Sequence, residues 1–455
     1  MKKGTHESSL GKRIYIRRNC SLVAIAVLVL LGGIDPASAS SVAEGRGPQH
    51  WVGTWATAAQ PSGPGAQTFR NQTLRLIVHT SAGGKAVRIK ISNTFGDQPL
   101  LIGGAHIARR TAGAGTDPGF DRTLTFGGHS STTVAARSMA VSDRVELDVP
   151  ALSDLAVSLF LPNPTAATTI HALALQTNYI SSATGDHAAD VNFPIADKLD
   201  SWPFLTGVDV EAPPRGAAIV AFGSSLTDGD GSTEDANRRW PDVLAERLQQ
   251  NGDAELGVLN EGIIGNRLLS DSRSPHQSGG PSPLGPFFEQ VGVVLGEAGL
   301  ERFERDVLGQ AGVKYVILAL GVNDILFPGA FIPVTQSVAA QDLISGNRQL
   351  IARAHKNGIR AIGTTIPPFE NALFRQPFFD RFYSPANERI RQEVNTWIRG
   401  SGEFDGVIDF DAAVRDPGHP TRLLQAIDRG DHLHVNNAGN VAQAKAIRLT
   451  LFRAR

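Results

Sequence analysis

Ala217-Ala218-Ile219-Val220-Ala221-Phe222-Gly223-Ser224-Ser225-Leu226-Thr227-Asp228-Gly229 is the stretch whose reading decides the fold. Its first residues form an unbroken apolar run, too short for a helix and lacking the alternation of a half-buried strand. Such a run is expected of a strand covered on both faces, as in a parallel sheet. Val313 to Leu320 is a second run of this kind. Arg360-Ala361-Ile362-Gly363-Thr364-Thr365 and Gly406-Val407-Ile408-Asp409-Phe410 read as further strands. Between them Pro241 to Gln249 is an amphipathic helix with proline at its first turn. Gln341 to Lys356 is a helix stopped by Asn357-Gly358, Asn387 to Ile398 is another, and Val441 to Leu449 is helical. The alternation predicts a doubly wound α/β domain over residues 216–455.

Upstream the texture is different. Leu74 to His79, Val87 to Ser92, Arg144 to Leu147 and Leu155 to Leu161 are short and β-branched, and several alternate apolar with polar. Gly, Ser, Pro and Asp separate them, and Ala82-Gly83-Gly84-Lys85 suits a hairpin turn. Residues 48–210 therefore read as an all-β sandwich or jelly-roll accessory domain. Glu211-Ala212-Pro213-Pro214-Arg215-Gly216 marks the boundary.

The first forty residues belong to another class. Lys12, Arg13, Arg17 and Arg18 precede an apolar segment from Ser21 to Gly33, and Ala37-Ser38-Ala39 suits a peptidase. The apolar part is about a dozen residues, short of the roughly 20 that a spanning helix needs. This is the pattern of a signal peptide, residues 1–39, cleaved after Ala39. It predicts a secreted or periplasmic protein with no stable membrane span. Cys20 is the only cysteine of the 455 residues, so the mature chain would hold no disulfide and no thiolate site. Of 43 Lys and Arg and 44 Asp and Glu, the leader takes six and two, leaving 37 against 42. A chain carrying about five net negative charges is not built to bind nucleic acid.

Four motifs carry the chemistry. They are Gly223-Ser224-Ser225-Leu226-Thr227-Asp228-Gly229, Asn260-Glu261-Gly262-Ile263-Ile264-Gly265-Asn266, Gly321-Val322-Asn323-Asp324 and Asp431-His432-Leu433-His434. Ligands of open α/β sheets sit at the carboxyl ends of the strands. The first and third motifs each follow a strand there, so Ser225 and Asn323 face one crevice although 98 residues apart. A serine hydroxyl needs a base to become a nucleophile, and His434 can take its proton. The Asp-x-x-His spacing lets Asp431 hold the other ring nitrogen. The backbone N–H groups of Ser225 and Gly265 and the Asn323 amide are candidate donors to an oxyanion.

Each motif alone has a plainer reading. Ser225 can be a helix N-cap, Gly265 a turn glycine and Asn323-Asp324 a cap. Asp431-His434 can be a surface ion pair or half a metal site, although no third ligand at metal spacing is evident. Asp409 and Asp411 suit a structural loop. His276 and His419 have no partner in the pattern, and Trp51, Trp55 and Trp240 suit a core. Only the combination favours catalysis.

In order and content the four motifs resemble the conserved blocks of the SGNH/GDSL hydrolase superfamily, over roughly Ala217 to Leu451. Thr54-Trp55-Ala56-Thr57, Phe69 to Arg75 and Ser92 to Gly96 are similar to the β-rich N-terminal region of a secreted bacterial subgroup. The resemblance implies a flavodoxin-like three-layer α/β/α hydrolase domain, ester hydrolysis, and no metal or organic cofactor. It assigns Ser225, Gly265, Asn323 and His434 to the four named positions, with Asp431 as the acid. Thr227 breaks the Gly-x-Ser-x-Gly of α/β-hydrolases. Ser224 replaces the family's usual Asp before the nucleophile, and Val435 stands where Pro often follows the histidine. The expectation is an exported serine esterase acting on a small-molecule or polysaccharide ester. A carbohydrate O-deacetylase of the same mechanism is the alternative, and a decayed glycan-binding protein a further one. The Ser/Pro/Gly-rich 270–290 loop and Pro328-Gly329-Ala330-Phe331 are expected to shape the acyl pocket.

Overall fold

A computed structural model describes residues 49–182, 184–271, 292–332, 334–372 and 382–453. The expected leader, Cys20, His276 and nearly all of the 270–290 loop lie outside the described residues. Five parallel strands build the central sheet: β1 (Ala217–Gly223), β2 (Leu256–Gly262), β3 (Val313–Ala319), β4 (Arg360–Thr364) and β5 (Gly406–Ile408), ordered β2-β1-β3-β4-β5. The sequence missed β2, because Asn260 and Glu261 break its apolar run. Both polar side chains are used: Asn260 Nδ2 donates to Thr227 O at 2.8 Å, and Gln310 Nε2 donates to the buried Glu261 at 2.9 Å.

Side chains alternate between the two faces of the sheet. Ile219, Ala221, Ile317 and Ile362 pack against Trp240, Leu244 and Leu248 of α2 (Trp240–Gln250), and against residues near the C-terminus. Ala218, Val220, Phe222, Val316 and Leu318 pack on the other face, under helices Ala340–Lys356 and Pro385–Gly400. This is the expected three-layer α/β/α domain. One covering piece is not a helix. Val52 and Ala56, from strand Trp51–Ala56, belong to the same core. Gly53 and Gly257 let that strand approach β2: a Cβ on Gly257 would lie 2.0 Å from Gly53 O.

The two largest sheets of the β-rich region are antiparallel. One runs through Trp51–Ala56, Leu205–Glu211, Gly84–Ser92 and Met139–Val141. The other runs through Ile195–Leu199, Asn178–Ser181, Gln72–His79, Asp154–Leu161, Gly104–Arg109 and Arg122–Thr123. Val87, Ile89, Ile91, Val208 and Val210 of the first meet Leu74, Leu76, Val78, Val157 and Leu159 of the second in one core, so the pair is a sandwich. The hairpin expected at Ala82–Lys85 is not formed. Gln72–His79 pairs with Asp154–Leu161, while Gly84–Ser92 lies in the opposite sheet. The connection is used instead as a tie: Ser81 Oγ donates to Thr54 O at 2.5 Å and accepts from the Val258 N–H of β2 at 2.8 Å. The described residues from both regions form one compact unit.

Candidate active site

In the sheet Gly223 is paired with Gly262 on one side and Ala319 on the other. Three of the four motifs therefore leave neighbouring strand ends. Ser224 is the N-cap of α1 (Ser225–Asp228), and Ser225 is its first helical residue rather than the cap. The Ser224 hydroxyl is buried and has no hydrogen-bond partner among the described residues. Gly229 ends the turn at φ 109°.

The fourth motif reaches Ser225 from the other end of the chain. His434 Nε2 lies 2.9 Å from Ser225 Oγ, and His434 Nδ1 lies 2.8 Å from Asp431 Oδ2. A carboxylate only accepts, so in the neutral ring Nδ1 carries the proton and Nε2 accepts from the serine hydroxyl. Asp431 Oδ1 accepts the N–H groups of Leu433 at 3.0 Å and His434 at 2.8 Å. Burial opposes charge on Asp431, but the His434 side chain and these amides outweigh it and hold the carboxyl well below its ordinary value.

Gly265 has φ 71°, and a Cβ there would meet Leu295 at 2.5 Å, so the loop after β2 requires glycine. Asn323 lies in α3 (Val322–Leu326) and donates from Nδ2 to Asn266 O at 2.9 Å, leaving that NH2 group a second hydrogen. Asp324 does not cap; its carboxylate accepts from Leu268 N at 2.7 Å and Leu269 N at 2.9 Å. Burial raises its pKa. The second and third motifs are thus bonded to each other.

Several residues at the site were invisible to sequence reasoning. Arg302 is fully buried and donates to Gly223 O, Glu261 O and Asn266 Oδ1, at 2.9, 2.9 and 3.0 Å. It joins the ends of β1 and β2 to the Gly265 loop. Arg429 pairs with Asp230 and lies 3.3 Å from Asp431 Oδ2, while Asp230 Oδ2 is 3.6 Å from His434 Nε2. No contiguous motif contains these residues. The remaining candidates have structural places. Asp409 caps helix Phe410–Val414, Asp411 is buried against Arg391, and Trp55 and Trp240 are core. Trp51 is partly buried with the Arg88 guanidinium over its ring, and His419 lies 3.8 Å from Asp416. Phe331, in the Pro328–Phe331 turn, stacks edge-on with Phe327 and Phe382. Among the described residues no three His, Cys, Asp or Glu side chains converge as a metal-binding group, and no helix is long and apolar enough to cross a membrane.

Residues 219–447 match the family described as GDSL-like Lipase/Acylhydrolase. An aryl esterase structure from M. smegmatis is 18% identical with TM-score 0.37, covering 51% of this chain and 96% of that one. A carbohydrate acetylesterase family member from Sinorhizobium meliloti is 15% identical with TM-score 0.36, covering 50% and 94%. A GDSL-like lipase from Bacteroides thetaiotaomicron is 16% identical with TM-score 0.33, covering 51% and 87%. No curated protein matches the chain. With the family match spanning half its length, the chain belongs to the GDSL-like lipase/acylhydrolases and is a hydrolase of ester bonds.

Proposed function

We propose that the protein is an exported serine esterase with Ser225 as nucleophile, His434 as base and Asp431 as the residue that orients it. The observation that carries this reading is the hydrogen-bonded series Ser225–His434–Asp431, with contacts of 2.9 and 2.8 Å. Ser225 Oγ attacks the ester carbonyl as its proton passes to His434 Nε2. The oxyanion is held by the N–H groups of Ser225 and Gly265 and the second hydrogen of Asn323 Nδ2. The C–O bond to the alcohol breaks as His434 returns the proton to the leaving oxygen. Water, deprotonated by the same ring, then releases the acid and restores Ser225. Export rests on the leader-like segment before Ala39.

Ser225→Ala and His434→Ala should each remove turnover of a chromogenic short-chain ester, and a fluorophosphonate should label wild type at Ser225. Retained turnover in either purified variant refutes the assignment. An unlabelled wild type would instead favour a decayed binding protein. Within the esterase reading, a small acyl group on a glycan is the alternative to lipid or aryl esters. An acyl-length series beside acetylated glycans decides between them, since preference for chains of eight carbons or more excludes a dedicated deacetylase.

A further inference from the structure

The β-rich region reaches the nucleophile turn through two short polar links. His171, in strand Thr169–His171, is 2% exposed, and its Nε2 lies 3.0 Å from Oδ1 of Asp228, the last residue of α1, itself 1% exposed. Its Nδ1 lies 3.0 Å from Ala58 O. A carbonyl oxygen only accepts, so Nδ1 carries a hydrogen, and the Nε2–Oδ1 contact holds one more proton between the two groups. The other carboxylate oxygen of Asp228 accepts the Ile264 N–H at 2.7 Å. Ile264 immediately precedes Gly265. Asp228 therefore fixes the end of the nucleophile turn to the peptide just before the one that carries the proposed Gly265 donor, and His171 fixes Asp228 from outside the α/β domain. The Trp202 ring lies 5.7 Å from the imidazole, centre to centre.

The second link repeats the first farther along. Asp235 follows α1 by seven residues and is held at φ 58°. Its carboxylate accepts from Thr177 N and Thr177 Oγ1, both at 2.6 Å, and from Gln176 Nε2 at 2.5 Å. The Asp235 N–H donates to Leu175 O at 3.0 Å. The segment 228–235, which carries Asp230 beside His434, is thus tied at both ends to residues 171–177. Two independent attachments to the same loop are more than packing of neighbouring surfaces requires.

We infer that His171 and Asp228 are positioning residues for the oxyanion site, so that the β-rich region completes the catalytic unit. The inference rests on the serine-esterase reading. A displacement near 1 Å at such a donor costs roughly a hundredfold in rate. His171→Ala should lower kcat, and the rate constant for phosphonylation of Ser225 by a fluorophosphonate, between about tenfold and a hundredfold, with KM nearly unchanged. Asp228→Asn is the conservative counterpart. Its Nδ2 can donate to His171 Nε2 and its Oδ1 can accept from Ile264, so both links survive without charge. This variant should fold and keep both rates within a few-fold of wild type.

The rates are measured in the full chain, beside a thermal melt of each variant. A folded His171→Ala with unchanged kcat and phosphonylation overturns the inference. So does an Asp228→Asn that falls as far as His171→Ala, since geometry would then not be what matters. Should His171→Ala fail to melt cooperatively, a folded Asp228→Ala, which removes both links, is compared with Asp228→Asn, and equal rates in the two overturn the inference. A wild type that does not react with the probe refutes the esterase reading itself and is distinguishable from both.

Discussion

Asp431 is ionised in spite of its surroundings, and that decides what its replacement does. Three hydrogen bonds, two from backbone amides and one from His434 Nδ1, hold its charge against burial. Asp431→Asn keeps the size but offers an NH2 group, which favours the ring tautomer with its proton on Nε2. By analogy with triads of this kind, kcat should fall on the order of a thousandfold or more while KM moves little, in steady-state ester hydrolysis. Ser224 is the opposite case, a buried hydroxyl with no partner among the described residues. An unsatisfied buried polar group costs about 1–3 kcal/mol, so Ser224→Ala should raise the melting temperature and leave activity within a few-fold. A large loss of kcat would mean the hydroxyl is used. At this scale the sequence was legible wherever chemistry sits inside a short contiguous motif. Ser225, Gly265, Asn323, Asp431 and His434 were named from it, and the fold brings Ser225, His434 and Asp431 into contact. His171, Arg302 and Asp230 were not named, because their meaning depends on partners far along the chain, 57 residues away for His171 and Asp228 and 36 or more for Arg302 with Gly223, Glu261 and Asn266.

Among the elements, helix ends show how much a capping residue can carry. The Asp409 carboxylate accepts the Ala412 N–H at 3.0 Å, the Thr365 hydroxyl at 2.8 Å and two bonds from Arg399 at 2.8 and 2.7 Å. Burial opposes its charge, yet these donors lower its pKa to about 2. A depressed carboxylate stabilises the fold above its unfolded pKa of about 3.9, and that contribution is lost as pH falls toward 2. The melting temperature of wild type should therefore drop over this window, and Asp409→Asn should show a shallower drop from a lower start. A variant whose acid limb matches wild type would contradict the linkage. The apolar strands and amphipathic helices were readable because their pattern is local. β2 was not, since Asn260 and Glu261 look like loop residues until their partners Thr227 and Gln310 are seen. The Ala82–Lys85 turn failed for a related reason, because turn chemistry gives a bend but not the sheet on its far side.

At the scale of the whole molecule, the cores on either side of the boundary at 211–216 are joined by strand Trp51–Ala56 and by polar links. Val52 and Ala56 sit in the α/β core, Ser81 bonds to β2, and Lys90 Nζ donates to Gln310 Oε1 at 3.0 Å while Gln310 donates to Glu261. Denaturant unfolding followed by tryptophan fluorescence and by circular dichroism should give one coincident transition. Two resolved transitions would show that the two cores unfold separately. Gly257→Ala, which drives a methyl into Gly53 O, should cost about 1–3 kcal/mol and lower that single midpoint.

The strand Trp51–Ala56 has a consequence for how the chain is made. Gly53 packs on Leu259, some 200 residues later. At synthesis rates of about 5–20 residues per second, that partner emerges roughly 10–40 s afterwards. Throughout that interval strand Trp51–Ala56 has no β2 to cover. Native assembly of this protein is set by the arrival of its middle, and a growing chain stays unfinished until then.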